Sequence, residues 1–408
     1  MQDPDFPEVT FQEWLEQGPR EELKWKEHIV PAQLSLHERL MVQIVVEIDG
    51  AELLKRCCEG HAVALVQITD SDGRTYRNHV THDLETVKPG MRQYTMNFTW
   101  SVFVLPGEYR VAVAYYYSGK PEHNLALGSL RVRPLKNETL PQAWSELPNV
   151  EFTDAQPQGL DEFFFPGITG RLHLPVVTRR PIHMEVLENL TPYRNEQKHT
   201  ARYKARLATL LPILKSFAQV DVQNGSLDLA TMDFTRNRVT FEQDEVSDRS
   251  VNWKELRDSL GANDPGIIDV HDLRDTNQYA GFFREELSKR LSPAETGDGV
   301  SKERPLRVVV VISSPIQFGF GKLKPISPPQ IKDYVVYYVR CEFIPHLDEI
   351  RRAARVPPEE IDSAMNIEEI DDGIGKVLRS LRPRVFVVHS AEDLRKTLAT
   401  MIGELSRM

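Results

Sequence analysis

The sequence predicts a multidomain protein, an all-β sandwich followed by a doubly wound α/β domain with a mostly parallel sheet. Three observations point there. Apolar residues alternate with period two through the first third of the chain, as in Val42, Ile44, Val46 and Ile48, the pattern of half-buried strands. A proline-punctuated stretch follows. Beyond it strands and helical stripes alternate, and one strand, RVVVVISSP from Arg307 to Pro315, has five consecutive β-branched residues and no alternation, the mark of a strand covered on both faces. A length of 408 residues suits two or three domains.

Taken in order, residues 1–21 are expected to form an N-terminal extension with a short helix over about 8–20, where Thr10 and Glu13 have capping-box spacing before Trp14 and Leu15. Residues 22–134 form the sandwich. Its strands are carried by Val42 to Ile48, by Val63 and Leu65 leading into an ITDSDGRTY hairpin, by Tyr94 to Trp100, and by Val111 to Tyr117, with turns at Asp72-Gly73 and Pro106-Gly107. Residues 135–180 read as a Pro-rich connector containing the apolar run Phe163-Phe164-Phe165, either docked on a domain or offered to a partner.

Residues 181–408 form the α/β domain. MEVLENL is its first strand, and Tyr203, Leu207, Leu210, Leu211, Leu214 and Phe217 make a helical stripe containing Pro212. SLDLATMDF and RVTFEQ read as a hairpin, NWKELRDSL and NQYAGFFREELSKRL as helices, and RVVVVIS and YVVYYVRCE as strands. A helix at FIPHLDEIRRAA, the strand RVFVVHS and a last helix capped by Ser390 and Asp393 complete the order. In such sheets the chemistry sits beyond the carboxyl ends of the strands, which puts Ser313 and Ser314 where a ligand would be met.

This order over residues 181–408 resembles the von Willebrand factor A domain, in particular the divergent bacterial VWFA-related proteins. The stretch VLPGEYRVAVAYY is similar to the closing hairpin of fibronectin type III and other immunoglobulin-like modules. The first resemblance implies a Rossmann-like sheet and a metal-ion-dependent adhesion site, in which Asp-x-Ser-x-Ser, a Thr and an Asp from three loops hold Mg²⁺ through hard oxygen ligands. On this chain the loop ENLTP places Glu188 at the Asp position, with Leu190 and Pro192 at the two Ser positions. RDTNQYAG places Thr276 at the Thr position, and ISSP places Ser314 at the second Asp position. The resemblance therefore implies a degenerate site with vestigial positions Glu188, Thr276 and Ser314 and no resident cofactor. A divalent cation held by non-standard ligands is the alternative.

Other constellations are read structurally. His79 and His82 in NHVTHD point to opposite faces of a strand, and Asp70 and Asp72 lack the remaining positions of a calcium loop. A hydrolase could draw on Ser313, Ser314 and His389, but the sequence has no G-x-S-x-G elbow, and FGFGK at 318–322 lacks phosphate-loop spacing. Cys57, Cys58 and Cys341 form no disulfide framework. A formal net charge of −10 argues against nucleic acid as a partner, and no apolar run is long enough to span a membrane. A soluble protein is expected. MQDPDFPEVTFQEW has neither the basic nor the apolar region of a signal peptide, and an exported or periplasmic protein lacking its leader in this sequence is equally compatible. The expectation for function is a non-catalytic, adhesion-type module that binds an unidentified protein partner. Its interaction rim comprises Glu188, Asn189, Thr191, Asp275, Thr276, Asn277, Ser313, Ser314 and Gln317.

Overall fold

The computed structural model describes residues 6–55, 60–154, 164–165, 167–192, 200–246, 251–261, 277–292, 305–318, 323–329, 333–342 and 372–408. The chain divides into two compact units. The first comprises Met1–Ser35, Arg39–Glu138 and Glu146–Gly170; the second comprises Leu36–Glu38, Thr139–Ser145 and Arg171–Met408. The segment expected as a connector is thus shared out between them, and the N-terminal extension belongs to the first.

In the first unit the elements are α1 (Glu8–Gln17), β1 (Lys26–Leu34), β2 (Leu40–Asp49), α2 (Gly50–Lys55), β3 (His61–Thr69), β4 (Thr75–Asp83), β5 (Thr95–Val104), β6 (Gly107–Tyr117), β7 (His123–Val132) and β8 (Val150–Phe152). They build two four-stranded antiparallel sheets, ordered β1-β2-β5-β8 and β4-β3-β6-β7. The sheets share a core. The Phe98 and Tyr115 rings meet at 5.8 Å, and Trp100 Nε1 donates to Asn78 Oδ1 at 3.2 Å.

Two expectations are corrected here. VLPGEYRVAVAYY is no hairpin, because β5 and β6 lie in different sheets and the chain crosses between them at Pro106-Gly107. Tyr109 fixes that corner, its hydroxyl donating back to the Leu105 carbonyl at 2.8 Å. Helix α1 starts earlier than its expected capping box. Pro7 is the N-cap with no side-chain bond, its φ of −75° suiting a helix start, and Phe11 N donates to its carbonyl at 3.0 Å. α1 covers the outer face of the second sheet through Phe11, which packs with Val63, Leu65, Ala112 and Ala114. That is why β3 is buried on both faces. The turn between β3 and β4 forms as expected, with Gly73 at φ 80° and Asp70 Oδ1 accepting from the Asp72 and Arg74 amides.

The second unit contains β9 (Leu174–Val176), β10 (Ile182–Asn189), α3 (Thr200–Phe217), β11 (Val220–Val222), β12 (Gly225–Asp233), β13 (Arg238–Gln243), α4 (Trp253–Gly261), α5 (Asn277–Leu291), β14 (Leu306–Ser313), β15 (Tyr334–Cys341), α6 (Gly373–Leu378), β16 (Arg384–Val388) and α7 (Ala391–Leu405). The short β9 and β11 pair in parallel, an element the proline-rich composition hid. A six-stranded mixed sheet runs β13-β12-β10-β14-β15-β16, parallel throughout except for β13, which pairs antiparallel with β12.

Helices lie on both faces of this sheet. Alternation sends Leu187, Val309, Val311 and Tyr338 towards α5 and α6, where they join Phe283, Leu287 and Val377 in one core. The opposite face meets α3 and α7, and Tyr337 there donates to Glu404 Oε2 at 3.1 Å. Helix α7 carries the expected cap. Asp393 N donates to Ser390 Oγ at 3.2 Å, and Asp393 Oδ2 accepts from the His389 amide at 3.2 Å. The helix expected at FIPHLDEIRRAA lies outside the described residues. Among the described residues, no helix is long and apolar enough to cross a membrane.

Candidate functional site

Strands β10 and β14 are the central neighbours, and after them the chain leaves in opposite directions across the sheet. Their carboxyl ends bring together four of the residues expected at the rim. Asn189 Nδ2 donates to Ser313 Oγ at 2.9 Å, and Ser313 Oγ donates to the Ser314 carbonyl at 2.6 Å. Asn189 Oδ1 accepts from Thr191 through both its amide, at 3.0 Å, and its hydroxyl, at 2.5 Å. Thr191 Oγ1 in turn accepts from the Phe234 amide at 2.7 Å, which ties in the end of β12. Arg206 of α3 donates to the Thr191 carbonyl.

Burial departs from the expectation of an open rim. Asn189, Thr191 and Ser313 are buried, bonded to one another instead of offered outward. Ser314 is half-buried and Gln317 is exposed. Asp275 and Thr276 lie outside the described residues, as does the side chain of Asn277, whose backbone opens α5.

Glu188 does not share the crest with Asn189. Successive strand residues face opposite ways, so the Glu188 side chain turns to the α3 face while Asn189 and Ser313 take the α5 face. Glu188 is 0% exposed, and both its carboxylate oxygens lack a hydrogen-bond partner among the described residues. Burial drives its pKa well above the ordinary carboxylate range, and the Arg206 guanidinium opposes this without overcoming it. Cys341, buried on the same face, has its thiol pushed up by burial and then by the Glu188 charge.

The hydrolase constellation does not assemble around Ser313, whose hydroxyl partners are Asn189 and the Ser314 carbonyl. His389 instead lies 3.6 Å from Glu342. Beyond Phe318, the FGFGK segment falls outside the described residues. In the first unit, His82 Nε2 lies 3.1 Å from Thr86 Oγ1, and Asp83 caps a turn by accepting from the Glu85 amide.

A second polar cluster lies at the amino ends of the same strands and is absent from the sequence reading. Glu185 pairs in register with Asp228, and His183 with Ser226. His183 Nε2 lies 3.1 Å from Glu185 Oε1 and 3.2 Å from Asp228 Oδ2, while its Nδ1 lies 2.7 Å from Ser226 Oγ. Behind them Arg290 of α5 reaches Glu185 Oε2 at 3.2 Å and Glu242 at 2.9 Å, and Arg307 stands 3.6 Å from Glu185 Oε1. The Glu185 hydrogen bond raises the His183 pKa, against the effect of burial. Burial pushes Glu185 up, but His183 and Arg290 outweigh it and hold the group below its usual value; Asp228 is raised, by burial. The signal was present as H-x-E in HMEVLENL and S-x-D in SLDLATMDF. Each pair is polar at period two on one face of its strand.

No family model matches the chain, and no curated protein matches it. Among solved structures, a structural-genomics target is 17% identical over 28% of this chain and 87% of its own, with a TM-score of 0.17. A β-glucosidase from Listeria innocua is 15% identical over 27% of this chain and 16% of its own, at 0.16. A family 123 glycoside hydrolase from Clostridium perfringens is 8% identical over 89% and 72%, at 0.26. Likenesses of this size assign neither fold nor activity.

Proposed function

We propose that the second unit is a von Willebrand factor A-like module. It binds a protein partner at the carboxyl edge of its sheet, without catalysis and without a metal, and the first unit is an immunoglobulin-like β-sandwich. Counted from β10, the strand order of the second unit is 3-2-1-4-5-6 with the third strand antiparallel. This is a doubly wound order, in which ligands are met where the order reverses, at the ends of β10 and β14. For the first unit, the split of β5 and β6 between sheets and the Tyr109 bond to Leu105 match the tyrosine corner of immunoglobulin-like sandwiches.

The observation that carries the metal-free reading is the Asn189–Ser313 bond. Mg²⁺ needs several hard oxygens held free for it. Here Asn189 Oδ1 accepts from Thr191 Oγ1, Ser313 Oγ is engaged with Asn189 Nδ2 and the Ser314 carbonyl, and the carboxylate Glu188 is buried where its ionised form is disfavoured. The surface offered to a partner is the outer end of the loop after β14, with Ser314 half-buried and Gln317 exposed. A net charge of −10 speaks against nucleic acid there.

The second reading, a metal-dependent adhesion module with non-standard ligands, draws on one observation. Glu188 is a buried carboxylate without a hydrogen-bond partner among the described residues.

Affinity capture separates the readings. A partner retained in EDTA by the wild type and lost with Gln317→Arg supports the metal-free edge. Retention that requires Mg²⁺ and is lost with Glu188→Ala supports the second reading. Capture indifferent to Gln317→Arg and Ser314→Arg contradicts both.

A further inference from the structure

The amino-terminal edge of the six-stranded sheet is separate from the proposed partner edge, and its side chains are arranged differently. At the carboxyl edge the polar atoms bond one another in a closed set. At the amino edge three side chains are each held from behind and present one remaining ligand atom to a common point. His183 is held at Nδ1 by Ser226 Oγ, at 2.7 Å, and presents Nε2. Glu185 is held at Oε2 by Arg290, at 3.2 Å, and presents Oε1. Asp228 is held at Oδ1 by the Glu245 amide, at 2.8 Å, and presents Oδ2. The three presented atoms lie within 4.8 Å of one another.

We infer that His183 Nε2, Glu185 Oε1 and Asp228 Oδ2 bind a divalent first-row transition ion of the Zn²⁺ or Co²⁺ kind, with a further coordination position open to solvent. Partners that fix the far atom of each ligand are the arrangement that orients metal ligands in proteins. The distances fit. Bonds of about 2.0–2.2 Å in a tetrahedral site separate ligand atoms by roughly 3.3–3.6 Å. His183 Nε2 stands 3.1 and 3.2 Å from the two carboxylate oxygens, within a few tenths of an ångström of that spacing.

A proton on Nε2 and an ion compete for the same two carboxylate oxygens. Binding exchanges that proton for the ion, which the two carboxylates neutralise. One nitrogen and two oxygens select a transition ion over Mg²⁺, whose preference is for oxygen alone. The side chain of His183 is 25% exposed, which leaves an approach from solvent. Two cations border the site and work against the ion, Arg290 on Glu185 Oε2 at 3.2 Å and Arg307, 3.6 Å from the presented Oε1.

The test is a Co²⁺ titration of the full chain near neutral pH, read by ligand-field absorption, with displacement by Zn²⁺. The wild type is expected to saturate at a single equivalent, and His183→Ala and Asp228→Ala to show no such signal. Ser226→Ala, which frees the ring without removing a ligand, is expected to weaken binding roughly 10–100-fold. Arg307→Met is expected to tighten it, which a merely structural ion-pair cluster would not do. A folded wild type that gives no absorption overturns the inference, as does binding that persists in both ligand variants. Should the ligand variants fail to fold, unchanged affinity in both Ser226→Ala and Arg307→Met overturns it as well. Glu188→Gln is expected to leave the titration unchanged, so this outcome is separate from any result at the carboxyl edge.

Discussion

Asn189 on β10 donates its side-chain amide to Ser313 Oγ on β14 at 2.9 Å, joining the two central strands where the order of the sheet reverses. Both residues are 0% exposed, so the bond forms away from competing water. Loss of Ser313 leaves Asn189 Nδ2 without this buried acceptor, and loss of Asn189 removes the donor to Ser313 and the acceptor of Thr191. Asn189→Ala and Ser313→Ala are each expected to destabilise by about 1–3 kcal/mol in urea unfolding. In a double-mutant cycle their effects should couple by roughly 0.5–3 kcal/mol. Simple additivity would show that the two side chains act independently.

Glu188 gives a prediction with a definite sign. Its folded pKa is raised by burial against an ordinary value of 4.5, with Arg206 as the opposing cation and Cys341 as its buried neighbour. Stability from a group shifted upward is fully present below its unfolded pKa and is lost as pH rises through the folded value. Burying Glu188 therefore costs most at neutral pH. Glu188→Gln should stabilise the protein there, because the amide has no charge to desolvate. The gain should shrink as pH falls from the raised folded value towards the ordinary carboxylate value, and be gone below it. Thermal melts of the two proteins across this range check both sign and window, and a gain that grows on acidification would contradict the assignment.

Phe11 places α1 in the core of the first unit. It is 1% exposed and packs against β3 and β6 through Val63, Leu65, Ala112 and Ala114. Phe11→Ala is expected to cost about 3–5 kcal/mol, the range for a buried Phe. An effect within experimental error in chemical denaturation would make α1 an appendage.

Tyr109 tests the sheet-crossing corner. Removal of its hydroxyl in Tyr109→Phe takes away the 2.8 Å bond to Leu105 and should cost about 1 kcal/mol, read as a shift in denaturation midpoint at constant slope. Burial, followed by the nearby Asp70 charge, pushes this phenol up to about 12, so it stays protonated through the neutral range. The bond should then hold unchanged over that range.

What the sequence made legible was local. The apolar run at Val308–Ile312, the hairpin read from SLDLATMDF and RVTFEQ, and the Ser390 cap all appear in the structure, because each is set by neighbours along the chain. The turn at Pro106-Gly107 misled because a proline-glycine turn serves a hairpin and a change of sheet equally well, and only distant pairing distinguishes them. The capping box at Thr10 lost to Pro7, whose fixed φ starts the helix earlier. At the carboxyl edge the residues were named but not their orientation. Glu188 and Asn189 are adjacent in sequence and so face opposite sides of the sheet. The His183 cluster depends on the register Glu185↔Asp228, across 43 positions, which alternation within one strand does not reveal.

The central claim, a carboxyl edge that works without a metal, is tested most directly by thermal melts in EDTA and in millimolar Mg²⁺ or Ca²⁺, on the wild type, Glu188→Ala and His183→Ala. An ion at a hundredfold excess over its dissociation constant stabilises by about 2.7 kcal/mol. That corresponds to a rise on the order of 5–10 °C for a domain of this size. The account predicts no Mg²⁺- or Ca²⁺-dependent rise that Glu188→Ala abolishes. A rise present in the wild type and in His183→Ala but absent from Glu188→Ala would contradict it and place a divalent ion at the switch between β10 and β14.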